Sequence, residues 1–311
     1  MKVLITGAAG FLGSNLVRKL LQEKHQVIGL DNLSSGSLAN LKEFENDLNF
    51  VFVEGDVREE LDFDVQGILN FACPASPIQY QIDPVQTIET NFLGMLNVLK
   101  LGRKLNVKVL QSSTSEVYGD PALSPQTETY WGNVNPIGIR SCYDEGKRAA
   151  ETLCFDFKRQ YGVDSRVIRI FNTYGPGMSL NDGRVVSNFV VQALQGQDIT
   201  IYGDGEQTRS FCFVSDLVDG IHRAFAIEEF PDSPINLGNP TEFTMLELAE
   251  KILSKVETKS TLNFRNLPMD DPRQRKPDIR LASECLKWDP VVDLDLGLDY
   301  TISYFRELIK K

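Results

Sequence analysis

The chain has 311 residues, 42% hydrophobic and 24% charged, which is enough apolar material for a sizeable core and excludes wholesale disorder. Its 43 acidic against 32 basic side chains leave a formal net charge of −11. That balance disfavours binding to nucleic-acid backbones and anionic membrane surfaces, while permitting a local arginine cluster around a small anion.

The five cysteines (Cys73, Cys142, Cys154, Cys212, Cys285) are scattered without a CxxC spacing and read as reduced thiols. Only His25 and His222 supply imidazole, which excludes most zinc sites and weakens any mechanism built on a histidine base. Met1 leads directly into a strand-like run and no apolar stretch reaches membrane-spanning length. The expectation is a cytoplasmic protein without signal peptide or membrane contact.

Short β-rich runs at 2–6, 26–31, 50–54, 67–72, 107–113 and 165–171 alternate with helical periodicity over 11–23, 84–105 and 142–161. Apolar strands alternating with helices predict a parallel sheet covered on both faces, an α/β fold of the doubly wound Rossmann type. After residue 171 the pattern loosens. Helices are predicted near 184–196, 214–228, 244–256 and 295–310, between clusters of Gly, Pro, Asn and Asp. Residues 172–311 therefore read as a smaller C-terminal α/β domain beside a first domain of 1–171, with 210–238 returning to the main sheet.

Gly7, Gly10 and Gly13 form G-x-x-G-x-x-G between the first strand and first helix. Glycines there let the backbone turn tightly and approach a pyrophosphate, which the helix N-terminus holds through its free amides and dipole. The second strand ends in Asp31, close to the roughly 20-residue spacing at which a carboxylate meets adenosine ribose hydroxyls. Asp31 followed by Asn32 favours NAD over NADP, and Asp56, after the third strand, is placed to reach the adenine edge.

Tyr143 and Lys147 form Y-x-x-x-K on one helix face. A free phenol with a pKa of about 10 is a poor base near neutrality, so the expectation is that the lysine ammonium and an oxidised nicotinamide together lower it. The fifth strand runs into Ser112-Ser-Thr-Ser-Glu116, and ligands of open α/β sheets bind beyond such strand ends. Thr114 can hydrogen-bond a substrate hydroxyl that loses its proton to Tyr143, with Ser115 and Glu116 beside the next atoms of the sugar.

Together these residues resemble the extended short-chain dehydrogenase/reductase superfamily and, within it, the UDP-glucuronate decarboxylase family, over almost the whole chain. The motifs that carry the resemblance begin with Cys73-Pro-Ala-Ser-Pro77, Ser113-Thr-Ser-Glu-Val-Tyr-Gly119 and Arg140 with Cys142-Tyr-Asp-Glu-Gly-Lys147. They continue with Arg169-Ile-Phe-Asn-Thr-Tyr-Gly-Pro176, Asn181-Asp-Gly-Arg184, Tyr202-Gly-Asp-Gly-Glu-Gln-Thr-Arg209 and Asp270-Asp-Pro-Arg-Gln-Arg-Lys-Pro-Asp278. Sugar-nucleotide dehydratases resemble one another in carrying Thr-Asp-Glu at the strand end and 4-epimerases in carrying small uncharged residues; Thr114-Ser115-Glu116 matches neither. Asn70 departs from the family, which often has histidine there.

The resemblance implies NAD bound by Gly7, Gly10, Phe11, Leu12, Gly13, Asp31, Asn32, Asp56, Val57, Tyr143 and Lys147. It implies UDP-glucuronate held around Ala75, Tyr80, Ser115, Arg140, Asn172, Arg184, Tyr202, Gln207, Arg209 and Arg275, with Arg184 facing an undetermined ligand. Thr114, Glu116, Tyr143, Lys147 and Arg275 are the catalytic candidates, no metal is required, and relatives pair as homodimers through the helices at 84–105 and 142–161.

Direct loss of CO2 from a hexuronate leaves an unstabilised carbanion. Oxidation at C4 makes the carboxylate β to a ketone, and the departing pair then becomes an enolate that Tyr143 and Thr114 can hold. Arg275 is expected at the sugar carboxylate, and an ionised Glu116 is expected to repel that carboxylate and assist its loss. The alternatives are 4-epimerisation, release of the 4-keto pentose with NADH, and an idle NAD-binding regulator.

Overall fold

The computed structural model describes residues 1–266 and 274–310. Seven parallel strands form the central sheet: β1 (Lys2–Thr6), β2 (Gln26–Asp31), β3 (Phe50–Glu54), β4 (Gly67–Asn70), β5 (Lys108–Thr114), β6 (Ser165–Ile170) and β11 (Ile235–Leu237), in the order β11-β6-β5-β4-β1-β2-β3. The chain winds outward in one direction from β1 to β3 and in the other from β4 to β11. The carboxyl ends of β1 and β4 therefore flank the switch point at which such sheets bind ligands.

Both faces of the sheet are covered, and alternation along the strands divides them. Val3, Ile5, Leu69, Leu110 and Ile168 pack into one core with residues of α1 (Phe11–Gln22) and α7 (Val214–Ala226). Leu4, Ile68, Val109 and Val167 point the other way, onto α4 (Met95–Leu105) and α5 (Ser141–Tyr161). This is why the strands read as continuous apolar runs rather than alternating ones. Within 67–72 the strand ends at Asn70: the Phe71 amide still reaches the Thr6 carbonyl at 3.1 Å, and the Ala72 amide turns to the Thr6 hydroxyl at 3.3 Å.

The helical periodicity of 84–105 is divided in the structure. After α2 (Pro77–Tyr80), α3 (Pro84–Glu89) passes into a widened π turn at Thr90–Gly94 before α4 begins. Asn91 in that turn is buried against Gly146 of α5, where an added Cβ would meet its amide nitrogen at 3.0 Å, so the extra residue lets two helices approach closely.

The later residues add α6 (Val185–Leu194), α8 (Met245–Lys255), α9 (Arg280–Leu286) and α10 (Leu294–Ile309). They also build three small sheets that periodicity does not reveal. These pair β7 (Thr173–Tyr174) with β10 (Cys212–Phe213), β8 (Ile199–Tyr202) with β13 (Leu262–Arg265), and β9 (Thr208–Ser210) with β12 (Glu242–Thr244) and β14 (Gln274–Arg275). Trp288 is 1% exposed and donates from Nε1 to the Asp216 carbonyl at 2.9 Å, fastening this part to α7. Among the described residues no helix is long and apolar enough to cross a membrane.

A buried polar network fixes the end of β5. Arg169 of β6 donates from Nε and Nη2 to Glu151 of α5 at 2.9 and 2.7 Å, and Ser113 donates to the same carboxylate at 2.5 Å. Truncating Glu151 leaves Arg169 as an uncompensated buried cation, at a cost of about 3–5 kcal/mol. Urea unfolding of Glu151→Ala should show a loss of that order, and Glu151→Gln, which retains an acceptor for both donors, a smaller one.

Candidate active site

At the end of β1 the chain turns through Gly7 with φ of +70°, and a Cβ there would lie 2.5 Å from the Phe71 carbonyl oxygen. A side chain at Gly13 would drive into the carbonyl of Gly7. The loop is thus folded against its own helix and against β4 at a closeness that only hydrogen permits. Gly10 is the N-cap of α1; no side chain caps this end and no acidic residue occupies its first turn. The amides of Phe11, Leu12 and Gly13 begin a helix whose positive end opens at the switch point. This is a cradle for a diphosphate.

Asp31 closes the neighbouring end of the cleft. Its carboxylate is 8% exposed and accepts one amide on each oxygen, Ala9 at 2.9 Å and Leu33 at 2.8 Å. Burial pushes its pKa up, and the two amides oppose that, so the group is fixed in place with lone pairs still available to ribose hydroxyls. Val57 is buried beside it and Asn32 is exposed at the rim.

Asp56, expected at the adenine edge, is already engaged. Arg58 holds it through Nε at 3.0 Å and Nη2 at 2.8 Å, and Asn32 donates at 3.0 Å. These contacts, Arg58 foremost, hold its carboxyl at about 2 against the opposing effect of burial. Arg58 is a residue the motif analysis missed, although it lies only two positions beyond Asp56.

Tyr143 and Lys147 lie one turn apart on α5, both buried, with the Lys147 Nζ 5.8 Å from the Tyr143 ring centre. Lys147 donates to the Ser112 carbonyl at 2.9 Å, which anchors it beneath the end of β5. The expected lowering of the phenol is not delivered by the chain itself. Burial raises the Tyr143 pKa well above 10, and the Thr114 hydroxyl beside it only partly offsets this. Burial also pushes the Lys147 ammonium down. A desolvated pair of this kind needs a further positive charge to form phenolate. The Tyr143 ring lies flat on Tyr80, with centres 5.0 Å apart and planes inclined by 4°.

Beyond Thr114, whose side chain accepts from the Glu116 amide at 3.2 Å, a short 3-10 turn (Ser115–Tyr118) carries the acidic candidate. Glu116 is bracketed by two guanidinium groups. Arg140 donates to Oε2 at 2.6 Å, and Arg275 binds both oxygens, reaching Oε2 at 2.8 Å. Arg275 arrives because β14 pairs in parallel with β9, placing it level with Arg209. Burial opposes the charge on Glu116, yet Arg275 and Arg140 outweigh it and hold the carboxyl at about 2.

The pairing bears on two expectations. Arg275 is not waiting singly for a sugar carboxylate, since its fork is committed to Glu116. Glu116 is not a bare anion either, because two guanidinium groups are paired with it.

Of the other expected contacts, Ser115 is buried, Ala75 lies exposed at the lip, and Tyr202 and Gln207 stand together on the surface, the Gln207 amide donating to the Tyr202 carbonyl at 2.7 Å. Arg209 is buried and donates to the Thr208 carbonyl, and the Asn172 carbonyl accepts from Cys212. Arg184, whose ligand the sequence left open, pairs with Asp182 at 2.5 Å and stacks over the Phe11 ring at 5.3 Å, which places it against the phosphate loop. The Asp270–Arg273 part of the last motif lies outside the described residues.

The chain matches the NAD dependent epimerase/dehydratase family over residues 3–238. UDP-glucuronic acid decarboxylase 6 of Arabidopsis thaliana is 53% identical over 307 residues, spanning 98% of this chain and 89% of that protein. The chain belongs to the UDP-glucuronic acid decarboxylases of that family.

Solved structures agree in fold. UDP-glucose 4-epimerase of Thermotoga maritima, with UDP-glucose, superposes with a TM-score of 0.91 at 30% identity, covering 99% of this chain and all of that one. The UDP-glucuronic acid 4-epimerase of Bacillus cereus, in complex with UDP-glucuronic acid and NAD, gives 0.88 at 26% identity, again over 99% and 100%.

For this UDP-glucuronic acid decarboxylase the Glu116 pairing has a measurable pH signature. A carboxyl lowered from 4.5 to about 2 adds stability that is fully present above the unfolded value and disappears as pH falls through the folded one. Thermal unfolding should show wild type more stable than Glu116→Gln at pH 6. The gap should shrink between about pH 4.5 and pH 2, and a constant gap would contradict the ion pairing.

Proposed function

We propose that the chain decarboxylates UDP-glucuronate to UDP-xylose through a 4-keto intermediate, using NAD that is restored in every cycle. The observation that carries this reading is the convergence of the Tyr143–Lys147 pair, Thr114 and the Arg140–Glu116–Arg275 cluster at the end of β5, beside a glycine turn and an uncapped helix N-terminus that suit a diphosphate. Residues 1–171 with 210–238 form the cofactor half, supported by β11 lying on β6, and the rest of 172–311 forms the UDP-sugar half.

NAD, when bound, would supply the hydride acceptor for C4 of the sugar and the hydride donor for the return step. Gly7, Gly10, Gly13 and the α1 amides would hold its diphosphate and Asp31 its adenosine ribose, with Arg184 closing over Phe11. Tyr143 takes the proton of the C4 hydroxyl, and the positive charge that the buried phenol lacks arrives with the oxidised cofactor. Lys147 is steered by the Ser112 carbonyl, which leaves its remaining protons to the nicotinamide ribose and the phenol. With the ketone formed, the carboxylate at C6 leaves as CO2, and hydrogen bonds from Tyr143 and Thr114 stabilise the enolate oxygen.

Arg140 and Arg275, both paired with Glu116, bring two guanidinium groups to the place where the uronate would enter, and they would hold its carboxylate and order water for protonation at C5. Glu116→Gln loosens both arginines and should lower turnover; full turnover with intact binding would remove Glu116 from the mechanism.

Mass spectrometry of the nucleotide formed from UDP-glucuronate with NAD supplied should find UDP-xylose and CO2. UDP-galacturonate without CO2 would make the protein an epimerase, and accumulating NADH absorbance would mean that the 4-keto pentose is released. Tyr143→Phe should lower kcat by on the order of 10²–10⁴-fold, the range for a lost general acid–base group.

We also propose a homodimer. Val85, Ile88, Phe92 and Leu93 are exposed together along α3 and its π turn, beside α5, an apolar face suited to an isologous contact. Light scattering at micromolar concentration should give twice the chain mass.

A further inference from the structure

Thr6, Asn70 and Gln111 stand on one rung of the central sheet, since Thr6 of β1 pairs with Asn70 of β4 and Asn70 with Gln111 of β5. They follow Leu4, Ile68 and Val109 by two residues, so all three side chains turn toward the face covered by α4 and α5. The earlier rung is apolar; this one is polar and just as deeply buried, at 0%, 4% and 1% exposure. Polar side chains so placed must satisfy one another.

They do so in one direction. The Thr6 hydroxyl accepts from the Ala72 amide and donates to Asn70 Oδ1. Asn70 Nδ2 donates to Gln111 Oε1 at 2.6 Å, and Gln111 Nε2 donates to the Ser112 carbonyl at 2.9 Å. The far end dictates this order. A backbone carbonyl only accepts, so Gln111 offers it Nε2 and turns Oε1 to Asn70, which must then present Nδ2 and keep Oδ1 for Thr6. Lys147 donates to the same Ser112 carbonyl at 2.9 Å, so the row ends on the atom that anchors the lysine.

That carbonyl stands where the sheet gives out on one side. Ser112 lies one residue past the last β4–β5 pair, although it still pairs with Ile168 of β6. Asn70 replaces the missing rung twice. Its own carbonyl accepts from the Ser112 hydroxyl at 2.8 Å, and its side chain holds the Gln111 amide that meets the Ser112 carbonyl. No step of the mechanism above draws on Asn70.

We propose that Asn70 is a positioning residue for Lys147: its side-chain amide, relayed through Gln111, holds the Ser112 carbonyl at the point from which the lysine is directed to Tyr143 and the cofactor. The inference rests on the Tyr143–Lys147 pair carrying the proton transfer described above. The titratable groups facing Lys147 are Tyr143, Glu151 and Cys154 from α5 and Cys73 from the segment after β4. Glu151 is turned to Arg169 and Ser113, and burial keeps both thiols protonated.

Burial already pushes the Lys147 ammonium down, so a fixed acceptor matters to it. Loosening the carbonyl moves the lysine titration to lower pH. A weaker ammonium favours phenolate less, which moves the Tyr143 titration up. The range of pH in which lysine is charged and phenolate accessible therefore narrows from both sides.

The test is kcat of the NAD-loaded enzyme at saturating UDP-glucuronate across the pH range. Asn70→Leu should bring the alkaline limb down by about one pH unit, the worth of one hydrogen bond to a charged group, with KM for UDP-glucuronate little changed. Gln111→Met should shift the limb equally, and the double variant no further than either, because both break one row. Asn70→His should keep the wild-type limb, since a neutral imidazole accepts on one nitrogen and donates from the other. Lys147→Arg, whose guanidinium does not titrate, should lose the limb altogether.

An unmoved limb alongside lowered kcat and unfolding temperature makes the row merely structural and overturns the proposal. So do shifts that add in the double variant, a histidine variant displaced like the leucine one, or a limb that persists in Lys147→Arg. If Asn70→Leu does not fold, Gln111→Met, which conserves length and volume, decides alone. Failure of the underlying readings looks different: Tyr143→Phe then turns over like wild type, or wild type forms no CO2 from UDP-glucuronate at any pH.

Discussion

A single carboxylate joins three stretches of chain that are far apart in sequence. Glu116 ends the fifth strand's excursion, Arg140 precedes the long helix that carries Tyr143, and Arg275 rides on a two-residue strand from the C-terminal half. Two guanidinium groups converging on one buried anion would be untenable without it, since each alone carries a heavy desolvation penalty. With it they form a paired cluster that holds both guanidinium groups in place. The substrate-facing floor of the cleft is built on this pairing, and so is the contact between the two halves of the chain at the site.

Around this centre the sheet acts as a ruler. Parallel strands in a doubly wound order deliver the glycine turn, Asp31, Thr114 and the anchoring carbonyl of Ser112 to one edge. The glycines are dictated by contact distance, as Gly7 faces the Phe71 carbonyl and Gly13 faces Gly7. Behind the strand ends, the Ser113–Glu151–Arg169 network sets the height at which the reactive hydroxyls stand. Packing, hydrogen bonding and charge thus fix the same few atoms from different directions.

The parts legible in the sequence are those whose signal is local. Strand runs, the glycine spacing, the strand-terminal aspartate and the Tyr–Lys turn each occupy a short window, and the family motifs marked Arg140, Glu116 and Arg275 individually. Their mutual pairing was not legible. It depends on β14 docking on β9, a register between segments more than sixty residues apart that neither periodicity nor propensity encodes. Burial was equally hidden, and in the chain by itself it raises the phenol of Tyr143 and lifts Asp144 out of the ordinary carboxylate range. The π turn at Thr90–Gly94 escaped because a helix with one extra residue still shows helical spacing on either side.

The flat stack of Tyr143 on Tyr80 bears on the stereochemical outcome. A ring pressed against a parallel neighbour cannot swing to follow a moving sugar, so the oxygen it serves must come to one fixed point. In the mechanism proposed above, a phenol held at one point meets the C4 oxygen from the same side in both directions of the transfer, and the handedness of that carbon is then retained although a neighbouring carbon is lost.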